Sequence, residues 1–268
     1  MAQIQKVQRR SRTLRRSIIG LVVIGAIVGI VYGLSSGGSP AAAKKSTTTT
    51  SSTSTTAPVT TTTLPKYTTG ATLPPSDCPP IAGAATRKTS FPDPPAWCIN
   101  VNDNYTATFK TDVGTFTVTL ATKTSPAAVN NFVFLAGWHF FDGTTFPRVI
   151  PGFVVQGGSP DNTTSGTPGY SWTGNTPTPP CSATHDCYPP GAFALANSSG
   201  PSTNGSQFFI VLPGGSNTLN SERNYTVFGQ VAGSGMSVVE KIGTDGTPAG
   251  TPKVTHHIIT VTVTQIPG

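Results

Sequence analysis

Charged side chains are scarce in this 268-residue chain, at 10% of the total, and eight of the 17 Lys and Arg precede Ser46. The formal net charge is +7, yet Lys6, Arg9, Arg10, Arg12, Arg15 and Arg16 precede the first long apolar run, and Lys44 and Lys45 follow it. From Ser46 onward nine Lys and Arg face ten Asp and Glu, a net of −1. The body therefore has no basic patch, and no nucleic-acid partner is expected. Several catalytic signatures are also missing. Ser206 sits in Asn-Gly-Ser-Gln with no Gly-x-Ser-x-Gly elbow, and no Walker phosphate loop is present. The four histidines (139, 185, 256 and 257) have neither triad nor zinc-helix spacing. Hydrolase, zinc-protease and nucleotide chemistries are set aside, and no cofactor or metal is expected.

Only one stretch is long and apolar enough to matter to a membrane. Residues 17–34 are uncharged and mostly aliphatic, just enough for a helix to cross a bilayer core, and Tyr32 suits the interface. Six cations before this run and two after it orient residues 1–16 as a cytoplasmic tail, with the remainder outside a single-pass cell-membrane anchor. The alternative is a secretory signal cleaved near Ala41-Ala42-Ala43. Both readings export the body. Residues 35–76 are rich in Thr, Ser and Pro and cannot build a core, so they read as a disordered, extended tether.

Cysteine is sparse as well, and all four lie on the exported side: Cys78, Cys98, Cys181 and Cys187. An even count in an oxidising compartment points to disulfides. Three pairings are possible, and the sequential one, Cys78 with Cys98 and Cys181 with Cys187, is expected because each closes a local loop. A metal site using Cys181, His185, Asp186 and Cys187 is the alternative for the second pair.

Residues 77–104 are proline-rich and aperiodic, an irregular collar. Alternation then starts, over 105–111 and 115–120, and predicts a hairpin. Ser125-Pro126 is a helix start, with an N-cap hydroxyl and proline at the first helical position. Val129, Phe132, Val133 and Leu135 follow at helical period and should plug a sheet. Short strands are predicted at 148–150, 153–156, 193–196, 208–212 and 225–231, a second helix at 236–242, and a closing strand at 257–265. Many short strands with two helices predict a mainly β domain over 105–266, a closed antiparallel barrel with helical end plugs.

Two stretches carry the functional signal. Phe146-Pro-Arg-Val-Ile-Pro-Gly-Phe-Val-Val-Gln-Gly-Gly158 sets one cation, Arg148, among apolar residues, and Ala194 to Phe209 is a polar, glycine-punctuated loop that ends in Phe208-Phe209. Together they resemble the two signature blocks of the cyclophilin family of peptidyl-prolyl cis/trans isomerases, over about residues 105–265. The resemblance implies a closed cyclophilin-like barrel and a non-covalent isomerase acting on proline-containing unfolded or extended polypeptides, with a monomeric catalytic domain. Arg148 matches the family's donor to the prolyl amide. Phe153 and Phe209 match its pocket aromatics, Leu219 its pocket leucine, and Val154 a place where methionine is common. Gln156 matches the glutamine that bonds substrate backbone and steadies the arginine. Ala196 and Asn197 match the segment that pairs with an extended peptide, and Tyr225 falls where many members have histidine or tyrosine. Phe208 reads as barrel core.

The chain also departs from the family pattern. Pro147 replaces a common histidine, Ser159 an aspartate, Ser198-Ser199 adds a residue, and Thr218 falls near the tryptophan of cyclosporin-sensitive members. Activity is expected to be retained, at a level those departures leave open, with weakened cyclosporin binding. The alternatives are a chaperone or scaffold that binds proline-containing segments with little turnover, and a spacer ectodomain, which would have no need of Arg148 and Gln156.

Overall fold

The computed structural model describes residues 76–175, 181, 184–222 and 224–268. The basic tail, the apolar run at 17–34 and all of the linker but Ser76 lie outside them. Among the described residues, no helix is long and apolar enough to cross a membrane.

Period-two patterning builds the sheet. In β1 (Asn104–Thr111) Tyr105, Ala107, Phe109 and Thr111 point inward, and in β2 (Gly114–Leu120) Phe116, Val118 and Leu120 do. The two pair antiparallel from Tyr105↔Leu120 to Thr111↔Gly114, and β8 (Ile258–Ile266) pairs with the other side of β1. Between them run β3 (Arg148–Ile150), β4 (Val154–Gly157), β5 (Ala192–Leu195), β6 (Phe208–Val211) and β7 (Val227–Val231), in the spatial order β3-β4-β6-β5-β7-β2-β1-β8. The sheet curls until its edges meet. Thr145 and His257 form an isolated bridge, and the amides of Gly143 and Phe146 donate to the carbonyls of Ile258 and His256 at 2.8 and 3.2 Å. Closure removes the exposed edges that an open sheet would leave there.

The β3–β4 turn, Ile150-Pro-Gly-Phe153, follows from its two central residues. Proline presets φ at the second position, glycine takes φ 68° at the third, and the Phe153 amide donates to the Ile150 carbonyl at 3.0 Å. Phenylalanines fill the interior. Phe109 stacks on Phe116 at 4.8 Å, and Phe193 meets Phe208 at 4.7 Å and Phe228 at 4.5 Å.

Three α-helices are present among the described residues, where two were expected: α1 (Pro126–Gly137), α2 (Ser216–Glu222) and α3 (Met236–Thr244). Only Leu219 of α2 is buried, and a single apolar residue in seven leaves no period to read. The N-cap expectation at Ser125 also fails in detail. Its side chain makes no cap bond, and its hydroxyl donates instead to the Val227 carbonyl at 2.6 Å, tying α1 to β7. Pro126 does sit in the first turn. Two buried asparagines moor α1 further: Asn130 takes the Cys98 amide and donates to the Ala96 carbonyl, and Asn131 donates to Gly205 and accepts the Tyr170 hydroxyl.

The collar is irregular, as expected, but its packing exceeds that expectation. Phe91 and Ile99 belong to the main core. The amides of Ala84 and Lys88 donate to the carbonyls of Gly137 and Trp138, and the Arg87 guanidinium donates to those of His139 and Phe140. The Gly137 and Trp138 carbonyls, at the end of α1, thus gain partners from the collar in place of helical ones. Cys78 bonds to Cys98 and Cys181 to Cys187, with Cα atoms 5.5 and 5.3 Å apart. Both sulfurs of the alternative metal set are thereby committed to a disulfide.

Candidate active site

Strand register decides which residues leave the core. Val149, Val155, Ile210 and Phe193 are successive partners across β3, β4, β6 and β5, and all four lie in the main core. The adjacent row on the same strands is Arg148, Gln156, Phe209 and Ala194. Directly opposed residues share a face, so this second row points out of the barrel. There a separate apolar cluster has formed, with Val154, Val211, Phe209, Leu219, Ala192 and Ala194 buried and Phe153, Ala196 and Tyr225 packed against it. Leu219 arrives on α2, within the connection from β6 to β7, because β5 stands between those two strands.

Arg148 stands at the margin of this cluster. Its Nη1 donates to Gln156 Oε1 at 3.2 Å, and its guanidinium carbon is 5.7 Å from the centre of the Phe153 ring, within cation–π range. Gln156 Nε2 donates to Gln207 Oε1 at 2.9 Å, and Gln207 Nε2 donates to the carbonyls of Thr164 and Gly166 at 3.1 and 2.8 Å. The arginine is thus the end of a fixed chain of amides. Among the described residues, one guanidinium nitrogen is committed and the other donors stay available. Burial pulls the Arg148 pKa down, opposed by the negative charge of Glu222.

Tyr225 closes the other side. Its ring meets Phe209 edge-on at 5.1 Å and its hydroxyl donates to Glu222 Oε2 at 2.9 Å. Burial first, and then the Glu222 carboxylate, push its phenol well above the usual range, so it stays protonated. Asn197 donates to the Asn224 carbonyl at 3.1 Å and accepts the Gly200 amide, while Ala196 gives its amide to Gln207. A cavity of about 300 Å³ lies between Ala196–Asn197 and the 164–171 loop, with Gln156 and Gln207 at its wall. A larger groove of about 930 Å³, around Thr119, Ser125, Asn175 and Asp186, takes in neither Arg148 nor its pocket residues.

The family model described as "cyclophilin type peptidyl-prolyl cis-trans isomerase/CLD" matches residues 106–263, more than half of the chain. The chain belongs to the cyclophilin family. It is 37% identical over 149 residues to the probable peptidyl-prolyl cis-trans isomerase B of Mycobacterium tuberculosis, covering 52% of this chain and 47% of that protein. It therefore spans about half the length of that relative. To the Helicobacter pylori peptidyl-prolyl cis-trans isomerase it is 37% identical over 139 residues, covering 51% and 78%. To the probable isomerase A of Mycobacterium bovis it is 34% identical over 181 residues, covering 58% and 91%. Among solved structures, a cyclophilin-type isomerase of Cryptosporidium parvum superposes with a TM-score of 0.51 at 23% identity, over 60% of this chain and 98% of that one. The same protein crystallised in the presence of the dipeptide Ala-Pro gives 0.50 at 24% identity. At those identities the likeness establishes the fold.

All eight non-cysteine residues matched to the cyclophilin pocket, together with Arg148, lie in or beside this outer cluster. Phe208, adjacent in sequence to Phe209, lies in the main core. The cyclophilin departures are accommodated locally. Ser159 is fully buried and donates to Asp161 Oδ1 at 2.7 Å, so a carboxylate is still present two residues on. Hydrogen bonds to Ser159 and Thr163 hold that carboxyl below its usual pKa. The added residue at Ser198-Ser199 is held by Thr203 Oγ1, which accepts both serine amides. Thr218 lies exposed on α2. Gln207 was not singled out from the sequence. Its signal was the two-residue step from Phe209, which places both on one face. Glu222 and Tyr188 gave no signal, since their partners are fixed only by the fold.

Proposed function

We propose that the domain accelerates rotation about Xaa-Pro bonds in exported polypeptides without covalent chemistry, with Arg148 as hydrogen-bond donor to the prolyl amide. The barrier to that rotation is the conjugation of the peptide bond, about 18–20 kcal/mol. Twisting the bond returns the lone pair to nitrogen, so a donor aimed there stabilises the twisted state more than either planar one. A desolvated guanidinium is suited to the task, because it stays charged and acts more strongly where water is excluded.

The observation that carries this reading is the juxtaposition of a polar chain and an apolar pocket on one outer face. Arg148, braced through Gln156 by Gln207, stands over the ring of Phe153, which packs against the cluster that holds Phe209 and Leu219. The pocket would take the proline ring, and Ala196 and Asn197 would pair with the extended peptide backbone. The Ala-Pro dipeptide present with the Cryptosporidium protein is consistent with such a ligand. Residues 17–34 would hold the domain at the outer face of a cell membrane.

The test is NMR exchange between the cis and trans proline signals of a short peptide, with the full chain and with Arg148→Ala. The expected result is acceleration by the parent chain, a fall in kcat/KM of about 10²–10³-fold in the variant, and peptide affinity changed by no more than a few-fold. Binding without acceleration in either protein would make the domain a binding module, and equal acceleration in both would remove Arg148 from the mechanism.

A further inference from the structure

Tyr188 follows the second disulfide and precedes β5, and it is fully buried in the outer cluster. Its phenol holds both backbone groups of a single residue. The hydroxyl donates to the Tyr225 carbonyl at 3.0 Å and accepts the Tyr225 amide at 3.1 Å. A hydroxyl has one proton and spare lone pairs, so both bonds form at once.

Tyr188 is itself held from two directions. Its amide donates to Asp186 Oδ1 at 3.0 Å, and its carbonyl accepts the Ser216 hydroxyl at 2.7 Å at the start of α2. One turn along α2, Asn220 accepts the Cys187 amide at 3.2 Å and donates to Asp186 at 2.9 Å. The segment next to the Cys181–Cys187 bridge thus grips the helix that carries Leu219. Tyr188 grips the residue whose ring stands edge-on to Phe209.

We propose that Tyr188 is a positioning residue of the prolyl pocket: it sets Tyr225 and Leu219 against Phe209, and the Cys181–Cys187 bridge is its anchor. The proposal rests on reading that face as a prolyl-peptide site. Tyr188 acts on the pocket wall and has no bond to Arg148, so its effect falls on ground state and twisted state alike. That appears in KM and leaves kcat in place.

The decisive variant is Tyr188→Phe in the full chain, which keeps the ring and removes the hydroxyl. The expected result is a rise of about 3- to 10-fold in peptide KM and Kd, with kcat within about twofold of the parent. Deuterium uptake at residues 224–227 should rise with it. The double variant Cys181→Ser/Cys187→Ser should move KM in the same direction, and a parental KM there would remove the bridge as anchor. Unchanged KM, Kd and uptake in Tyr188→Phe would overturn the proposal, as would a loss of kcat at constant KM. If the parent chain binds peptide without turning it over, the isomerase reading fails, while Kd and uptake still decide the role of Tyr188.

Discussion

The least replaceable residues of the site act on geometry, and two are glycine and glutamine. Gly158 takes φ 84°, and a Cβ there would stand 2.6 Å from the Ser206 carbonyl oxygen and 2.8 Å from Phe208 Cδ1. The second glycine of Gln-Gly-Gly is therefore demanded twice, by backbone conformation and by close approach. Gly158→Ala is expected to destabilise the domain by more than about 2 kcal/mol, read as a fall in the urea midpoint. Gln207 stands behind the proposed substrate contacts: its backbone carbonyl takes the Ala196 amide, and its side chain holds Gln156 in the rotamer that braces Arg148. Gln207→Ala should lower kcat/KM about tenfold with little change in unfolding temperature, since it loosens the aim of the donor. A parental kcat/KM in that variant would mean that Gln156 is held by other means.

At the scale of elements, the polar ties between segments explain why this barrel holds its register. Asp103, just ahead of β1, accepts the Gln265 amide at 2.5 Å and the Gly268 backbone amide at 3.2 Å, closing the end of β8 onto β1. The Gln265 bond is the largest cause of the lowered Asp103 pKa; partial burial opposes it and the Gly268 amide adds to it. A carboxyl with a lowered folded pKa contributes stability that is present above its unfolded value, about 3.9, and lost as pH falls through the folded value. Asp103→Asn should therefore unfold at lower temperature than the parent at pH 7, with the gap closing below about pH 4. Calorimetry at the two pH values measures it, and a gap independent of pH would contradict the carboxylate's role. Ser125 shows the same principle without a charge. Its hydroxyl was legible as a helix cap, yet the fold uses it as a tie to β7, because a strand carbonyl lay within reach.

On the scale of the whole molecule, the cyclophilin match begins at residue 106, but the folded unit begins earlier. Phe91 is 5% exposed and meets Phe134 of α1 edge-on at 5.0 Å, and the collar supplies the donors that finish that helix. Phe91→Ala is expected to cost about 3 kcal/mol in denaturant unfolding, as for a core phenylalanine. A cost near zero would return the collar to the status of a linker. By itself the sequence determined the elements whose signal is local. The β1–β2 hairpin, α1, the closing strand β8 and the two signature blocks were all legible, because period and turn chemistry are written in neighbouring residues. Only the tertiary structure decided what depends on register and on chain crossing. It carried Leu219 to the outer face on a helix with one buried residue, an element the sequence did not show. It also joined Tyr188 to Tyr225 across 37 positions. Those partners are far apart in the chain, and no local period encodes a contact that exists only after the sheet has closed.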